Sequence, residues 1–251
     1  MGWLTLVLAV DHGADHPTQA VLGLLTWAVL VAALRHADST VRMQTAVVVL
    51  FATVIEVTAS LWLGVYTYRL GNLPAYVPPG HGLVYLSAVS LGHEPFVRQR
   101  LSLLLPVTLA VLGTWAGYGL VVADRQDVLG GCWMACLVGF AVWGPSREVY
   151  VGAAAVVTWL ELVGTHLHTW TWSTHDPTGW ILIGNPPTGV AGGYGWFDLV
   201  ALLATPWLLA RWRGLAASRP NSGRRSERKG AARTYVRAAR SVRISSPNDS
   251  T

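Results

Sequence analysis

Glu56 and Glu161 are the two residues of this chain best placed to do chemistry. Each lies inside a long apolar stretch, and each is followed by an aromatic doublet, Tyr66 and Tyr68 after the first and Trp170 and Trp172 after the second. Holding an ionised carboxylate in hydrocarbon costs about 3 kcal/mol even on lenient insertion scales, so the neutral acid is the cheaper form there. A neutral carboxylic acid is what a general acid or a proton carrier needs. The competing use is a protonated glutamate that hydrogen-bonds a neighbouring helix and only ties the bundle together. Two such residues in matching positions favour function. At helical spacing Glu161, Thr165 and His168 fall on one face, which adds His168 to the acid–base candidates, whereas His166 points elsewhere.

A second pattern follows each doublet. Gly71-Asn72-Leu73-Pro74-Ala75-Tyr76-Val77-Pro78-Pro79-Gly80-His81-Gly82 and Gly184-Asn185-Pro186-Pro187-Thr188-Gly189-Val190-Ala191-Gly192-Gly193-Tyr194-Gly195 both obey G-N-x-P-x-x-V-x-x-G-x-G without a gap. His81 of the first loop stands where the second has Tyr194, and both side chains can give or take a proton. Asp198, three residues past the second loop, matches Tyr85. It is either a third acid at the site or the cap of a helix N-terminus, where the macrodipole favours an acid. Asn72 and Asn185 could tie each loop to its helix or contact a ligand. Tyr66, Tyr68, Trp170 and Trp172, with Trp62 and Trp196, could line a cavity for a long apolar substrate and steady a cation on it, or they could belong to a membrane-interface belt. The candidate catalytic residues are therefore Glu56, Glu161, His168 and His81. The candidate substrate-binding residues are Tyr66, Tyr68, Asn72, Trp170, Trp172, Asn185, Tyr194 and Asp198. No cofactor is implied, and no metal: His166 and His168 do not converge on a helix, and Cys132 and Cys136 have no Cys/His cluster around them and read as packing residues.

Positioning these groups falls to membrane helices. The 251 residues are 52% hydrophobic and 12% charged, against about 25% charge in soluble domains. Seven segments, roughly 18–34, 43–68, 82–97, 101–122, 128–144, 148–172 and 195–212, are apolar enough to span, most of them near the roughly 20 residues a bilayer requires. The fold class expected is an all-α polytopic bundle. The opening run Trp3–Val10 is too short to span and lacks a basic flank, so it does not read as a cleaved signal peptide. Of the 18 Lys and Arg residues, most lie from Arg211 onward. With seven spans, Arg35, Arg42, Arg98, Arg100 and Arg147 share the tail's side, which places the tail in the cytoplasm and the N-terminus outside a cell membrane. Both Gly/Pro loops then lie at the outer face in the same orientation, as parallel internal repeats (about 43–97 and 148–212) within a membrane domain 1–213. Residues 214–251 read as a basic, disordered tail, with 233–243 able to lie as an amphipathic helix on anionic headgroups. Membrane lipids and an apolar small molecule are the expected partners; nucleic acid is not.

The first copy, Glu56 then Gly64-Val65-Tyr66-Thr67-Tyr68, Leu70-Gly71 and Val77-Pro78, resembles the membrane carotenoid hydratase family of the bacterioruberin pathway, which has a glutamate, G-x-Y-x-Y, L-G and V-P in that order. Trp170-Thr171-Trp172 with the later Asn185 and Gly195-Trp196-Phe197 is similar to that family's W-x-W and N-F-x-G-W. The resemblance spans about 60 residues in two pieces and departs in loop length and in the doubled G-N-x-P. It implies a carotenoid-biosynthetic lyase that adds water to a terminal isoprenoid double bond. An isoprenoid isomerase or cyclase would use the same parts. A proton-coupled transporter and a non-catalytic membrane scaffold are the alternatives of other classes. A retinal-type Schiff base is excluded within the bundle, because the only lysine is Lys229 in the tail.

Overall fold

The computed structural model describes residues 1–218; all but the first residues of the expected tail 214–251 lie outside the described residues. It is all-helical apart from two three-residue strands. In order come α1 (Gly2–Asp11), α2 (His16–Leu34), α3 (Ser39–Glu56) continued by a π-helical stretch (Val57–Trp62), β1 (Tyr66–Tyr68), α4 (Val77–His93), α5 (Pro95–Gln99), α6 (Leu101–Val121), α7 (Val128–Trp143), α8 (Arg147–His166), β2 (Trp170–Trp172) and α9 (Val190–Ser218). Residues to Leu209 form one compact unit, and all the packing below lies within it. Among the described residues five helices are long and apolar enough to cross a membrane: His16–Leu34, Ser39–Trp62, Leu101–Val121, Arg147–His166 and Val190–Arg213. A multi-pass membrane protein is the reading this supports. The other two expected segments correspond to the shorter helices α4 and α7.

Two of the expected segments overshoot. The stretches 43–68 and 148–172 do not stay helical to their aromatic doublets: the first helix ends at Trp62 and the second at His166, and each doublet is a strand. An apolar run has the same hydropathy in either state. What breaks the first is Gly64, whose φ of 62° reverses the chain at little cost to a residue without a Cβ. The repeated loops differ from expectation in the other direction. The V of each motif is the first residue of a helix, Val77 of α4 and Val190 of α9, so His81 and Tyr194 are helical, not loop, residues. Asp198 is likewise well inside α9, which removes its reading as an N-cap.

The centre of the bundle is α4 against α8. Two thirds of the apolar window of α8 is buried (67%), against 17% for α6. The crossing is backbone to backbone: a Cβ on Gly152 would sit 2.2 Å from the Ala88 carbonyl oxygen, and one on Gly92 would sit 2.4 Å from that of Glu148. Close approach of this kind substitutes for the hydrophobic drive that helices lack in lipid. It also sets direction, since Ala88 and Gly92 meet Gly152 and Glu148 in reverse order and the helices run antiparallel. Gly152→Ala is therefore expected to lower the unfolding free energy in detergent by about 1–3 kcal/mol. Gly117→Ala on α6, where a Cβ meets nothing within 4 Å, should be neutral or stabilising by up to about 1 kcal/mol. Equal effects of the two would contradict the backbone contact.

Candidate functional site

Glu56 is the last α-helical residue of α3, and the widened turn after it folds the chain back on itself. Leu63 N–H donates to Thr58 O at 2.9 Å and Val65 N–H to Ala59 O at 2.8 Å. After Gly64 the strand β1 returns beside the helix it left. Strand alternation puts residues 66 and 68 on one face and Thr67 on the other, which is why the doublet is spaced Y-x-Y. The Tyr66 and Tyr68 hydroxyls donate to Glu56 Oε2 at 2.8 and 2.7 Å, and His81 Nε2 lies 2.9 Å from Oε1. Burial, and then the Glu56 charge, push both phenols well above their ordinary range, so they stand as protonated donors.

Glu161 is treated the same way by different side chains. Past the end of α8, His168 takes a left-handed φ of 54°, and Thr169 N–H and Oγ1–H both donate to Gly164 O at 2.9 Å. The Trp170 ring then lies over Gly164, where a Cβ would be 2.0 Å from it. This brings the indole N–H groups of Trp170 and Trp172 to Glu161 Oε2 at 3.0 and 3.2 Å. Among the described residues nothing donates to Oε1 of Glu161. Thr165 Oγ1 turns back to the Glu161 carbonyl at 2.6 Å, as Ser60 Oγ does to that of Glu56 at 2.7 Å.

The two strands join these halves. β1 and β2 pair antiparallel, Tyr66 opposite Trp172 and Tyr68 opposite Trp170, with ring centroids 4.5 and 6.2 Å apart. Beneath them lies a cavity of about 390 Å³, within the usual range for small-molecule sites. Glu56, Glu161, His81, Tyr66, Tyr68, Trp170, Trp172 and Tyr194 line it, with Trp133, Trp196 and Phe197 and aliphatic residues of α1, α3, α4 and α8. His81 stacks on Tyr194, centroids 5.3 Å apart. The cavity also reaches the flank of the bundle, because Ile55 and Trp196 line it while remaining 37% and 47% exposed.

Four of the expected residues are not at this cavity. His168 is exposed, because its helical spacing to Glu161 fails two residues after α8 ends. Asn72 donates to Gln19 Oε1 at 3.0 Å, and Gln19 in turn donates to Asp11 at 2.7 Å. Asn185 Oδ1 accepts from Trp172 N–H at 3.1 Å. Both asparagines thus tie loops to their surroundings. Asp198 is buried but absent from the cavity wall.

Sequence reading missed the residues that fix the second loop. Asp127, the N-cap of α7, accepts from Gly130 N–H (2.9 Å), Gly184 N–H (2.9 Å), Thr188 N–H (2.6 Å) and Thr188 Oγ1–H (2.7 Å). Arg125 donates to the carbonyls of Trp172, Ser173 and Ile183 at 2.7–2.8 Å. Asp127 stands just before an apolar helix, and its reach across the fold leaves no local signal in the sequence. The insert 173–180 is a closed turn in which Asp176 caps Thr178, Trp180 and Ile181. The Thr178 hydroxyl, with those backbone donors, draws the Asp176 carboxyl down to about 2.

Chemically the two carboxylates are unlike. Indole N–H only donates, so the Trp pair orients Glu161 and holds Oε2 as an acceptor, leaving Oε1 as the oxygen that can carry or release a proton. Around Glu56 the two phenols donate to Oε2 and His81 Nε2 lies against Oε1, and imidazole, unlike indole, can both give and take a proton. No protein-family profile, curated protein or solved structure matches the chain.

Trp170→Phe or Trp172→Phe should each cost about 0.5–1.5 kcal/mol of stability, the net worth of one hydrogen bond. Because one indole still serves Oε2 in each single variant, the double variant should cost more than the sum. Strict additivity in detergent unfolding would mean that the two donors do not share one acceptor.

Proposed function

We propose that the protein is a cell-membrane enzyme that adds water to, or isomerises, a double bond of an isoprenoid or carotenoid-like substrate by acid–base chemistry. The observation that carries this reading is the placing of two differently hydrogen-bonded carboxyl groups on one apolar, aromatic-walled cavity. In hydration, Glu161 Oε1–H gives its proton to an alkene carbon, and the aromatic faces steady the resulting tertiary cation. Water forms the new C–O bond and passes its proton to the Glu56–His81 pair, and proton return to Glu161 closes the cycle. Isomerisation uses the same protonation followed by loss of a proton from the neighbouring carbon. The flank opening beside Ile55 and Trp196 suits a substrate that arrives through lipid.

The bundle is read with seven spans, α2, α3, α4, α6, α7, α8 and α9, the tail cytoplasmic and the cavity toward the outer face. The matched units α3–β1–α4 and α8–β2–α9 are read as parallel repeats. Strand pairing centred on Thr67 and Thr171 supports this, since a two-fold axis along the membrane normal would set equivalent strands antiparallel. Anionic headgroups are the proposed partners of the basic tail.

Expression in a host that makes lycopene-type carotenoids, with mass analysis of the extracted lipids, tests the reading. The wild type is expected to yield a product heavier by one water or isomeric with its precursor. Glu56→Gln and Glu161→Gln should each lower its formation by about 100-fold or more, the usual share of general acid–base catalysis. Product formation untouched by both substitutions would overturn the assignment. Unaltered lipids together with pH-gradient-driven uptake into vesicles would make the protein a transporter instead.

A further inference from the structure

The cavity leaves unexplained a set of polar atoms deeper in the bundle. His81 Nδ1, Tyr85 Oη, Tyr150 Oη and Asp198 Oδ2 are all buried, and among the described residues none of them has a hydrogen-bond partner. The residues are 5%, 1%, 1% and 5% exposed respectively. Four orphans in one region are too many to be incidental, since each unpaired buried group costs about 1–3 kcal/mol, and polar interior sites of this kind are normally served by internal water.

Their order along the helices gives them a direction. His81 and Tyr85 are one turn apart on α4, and Tyr194 and Asp198 one turn apart on α9, with His81 stacked on Tyr194 at 5.3 Å. Tyr85 packs in one buried cluster with Phe197, the neighbour of Asp198, and Tyr150 stacks on Phe140, which meets Trp196 of α9 edge-on at 5.3 Å. The antiparallel contact of Ala88 and Gly92 with Gly152 and Glu148 puts Tyr150 about one further turn from the cavity. The groups thus run from Glu56 and His81 through Tyr85 and Asp198 to Tyr150, toward the end of the bundle where α8 begins.

We infer that these side chains hold a file of internal water that carries protons between that end of the bundle and His81. Asp198 is its exchanging carboxyl and the phenols are its hydrogen-bonding stations. In each transfer a proton leaves one oxygen or nitrogen as another arrives from the far side, so no net charge is left inside. The inference does not depend on what the cavity binds.

Hydroxyl-radical labelling by radiolysis tests the water, because an interior side chain is oxidised only beside water. In the full chain in lipid nanodiscs, Tyr85 and Tyr150 should be labelled despite their burial. Labelling should fall about five-fold or more in Asp198→Leu, with the 55% exposed Tyr118 unchanged as the internal standard. Nitrogen-15 NMR of histidine-labelled protein, assigned through His81→Gln, tests the proton path. Asp198→Asn keeps the shape and should keep the labelling, yet should slow solvent exchange of the His81 ring proton about ten-fold. Wild-type Tyr85 and Tyr150 labelled no more than in Asp198→Leu would overturn the inference, as would His81 exchange in Asp198→Asn as fast as in wild type.

Discussion

A carboxylate folded into an apolar bundle must be given donors by the fold itself, because lipid supplies none. In this protein each of the two carboxylates takes them from the segment that follows its own helix. Glu56 receives Tyr66 and Tyr68, and Glu161 receives Trp170 and Trp172. Much of the surrounding architecture follows from that requirement. The helices must stop early, the chain must reverse within a few residues, and the returning segment must be extended so that alternate side chains face back. An extended segment has unpaired backbone groups, and β1 and β2 satisfy one another's by pairing. Two helix ends thereby become one roof, and two separate carboxylates one cavity.

The donors also determine how the halves differ. Indole and phenol both hydrogen-bond a carboxylate, but only phenol and imidazole can pass a proton on. A shared framework therefore yields one rigidly oriented acid and one acid embedded in an exchanging network. Such a pairing of unlike environments is the usual way that two carboxyl groups are given different tasks. Burying the pair beside α4 and α8, whose glycines allow backbone contact, keeps this geometry away from bulk water while the flank at Ile55 and Trp196 stays open.

Much of this was legible in the chain. The G-N-x-P-x-x-V-x-x-G-x-G spacing marked both loops, and its valines are where α4 and α9 begin. The glutamate–doublet order marks both halves of the site, and the repeat sets His81 and Tyr194 at equivalent positions; that these two rings stack, and that each doublet serves its own glutamate, has no signature in the sequence. Hydropathy does not separate a strand of Tyr and Trp from a last helical turn, so by hydropathy α3 and α8 run on into their doublets. For the same reason the helical spacing that sets His168 on the face of Glu161 does not hold, because α8 ends at His166. Asp127, Arg125 and the Gln19–Asp11 pair act on backbone far away in sequence, and no local pattern records that. In the sequence Asp198 is an acid near the membrane edge, and only the start of α9 at Val190 makes it an interior residue.

The central claim is that one cavity, served by both carboxylates, receives an apolar ligand from the membrane. Photolabelling of the full chain in membranes with a diazirine-bearing prenyl alcohol, followed by peptide mapping, tests it most directly. Labels competed by unmodified prenyl alcohol should appear both on α3 near Phe51 and Ile55 and on α9 near Trp196 and Phe197, the residues that line the cavity from its two sides. Labels confined to outward residues such as Leu50, 70% exposed, and Leu103, 60% exposed, and indifferent to competitor, would contradict it.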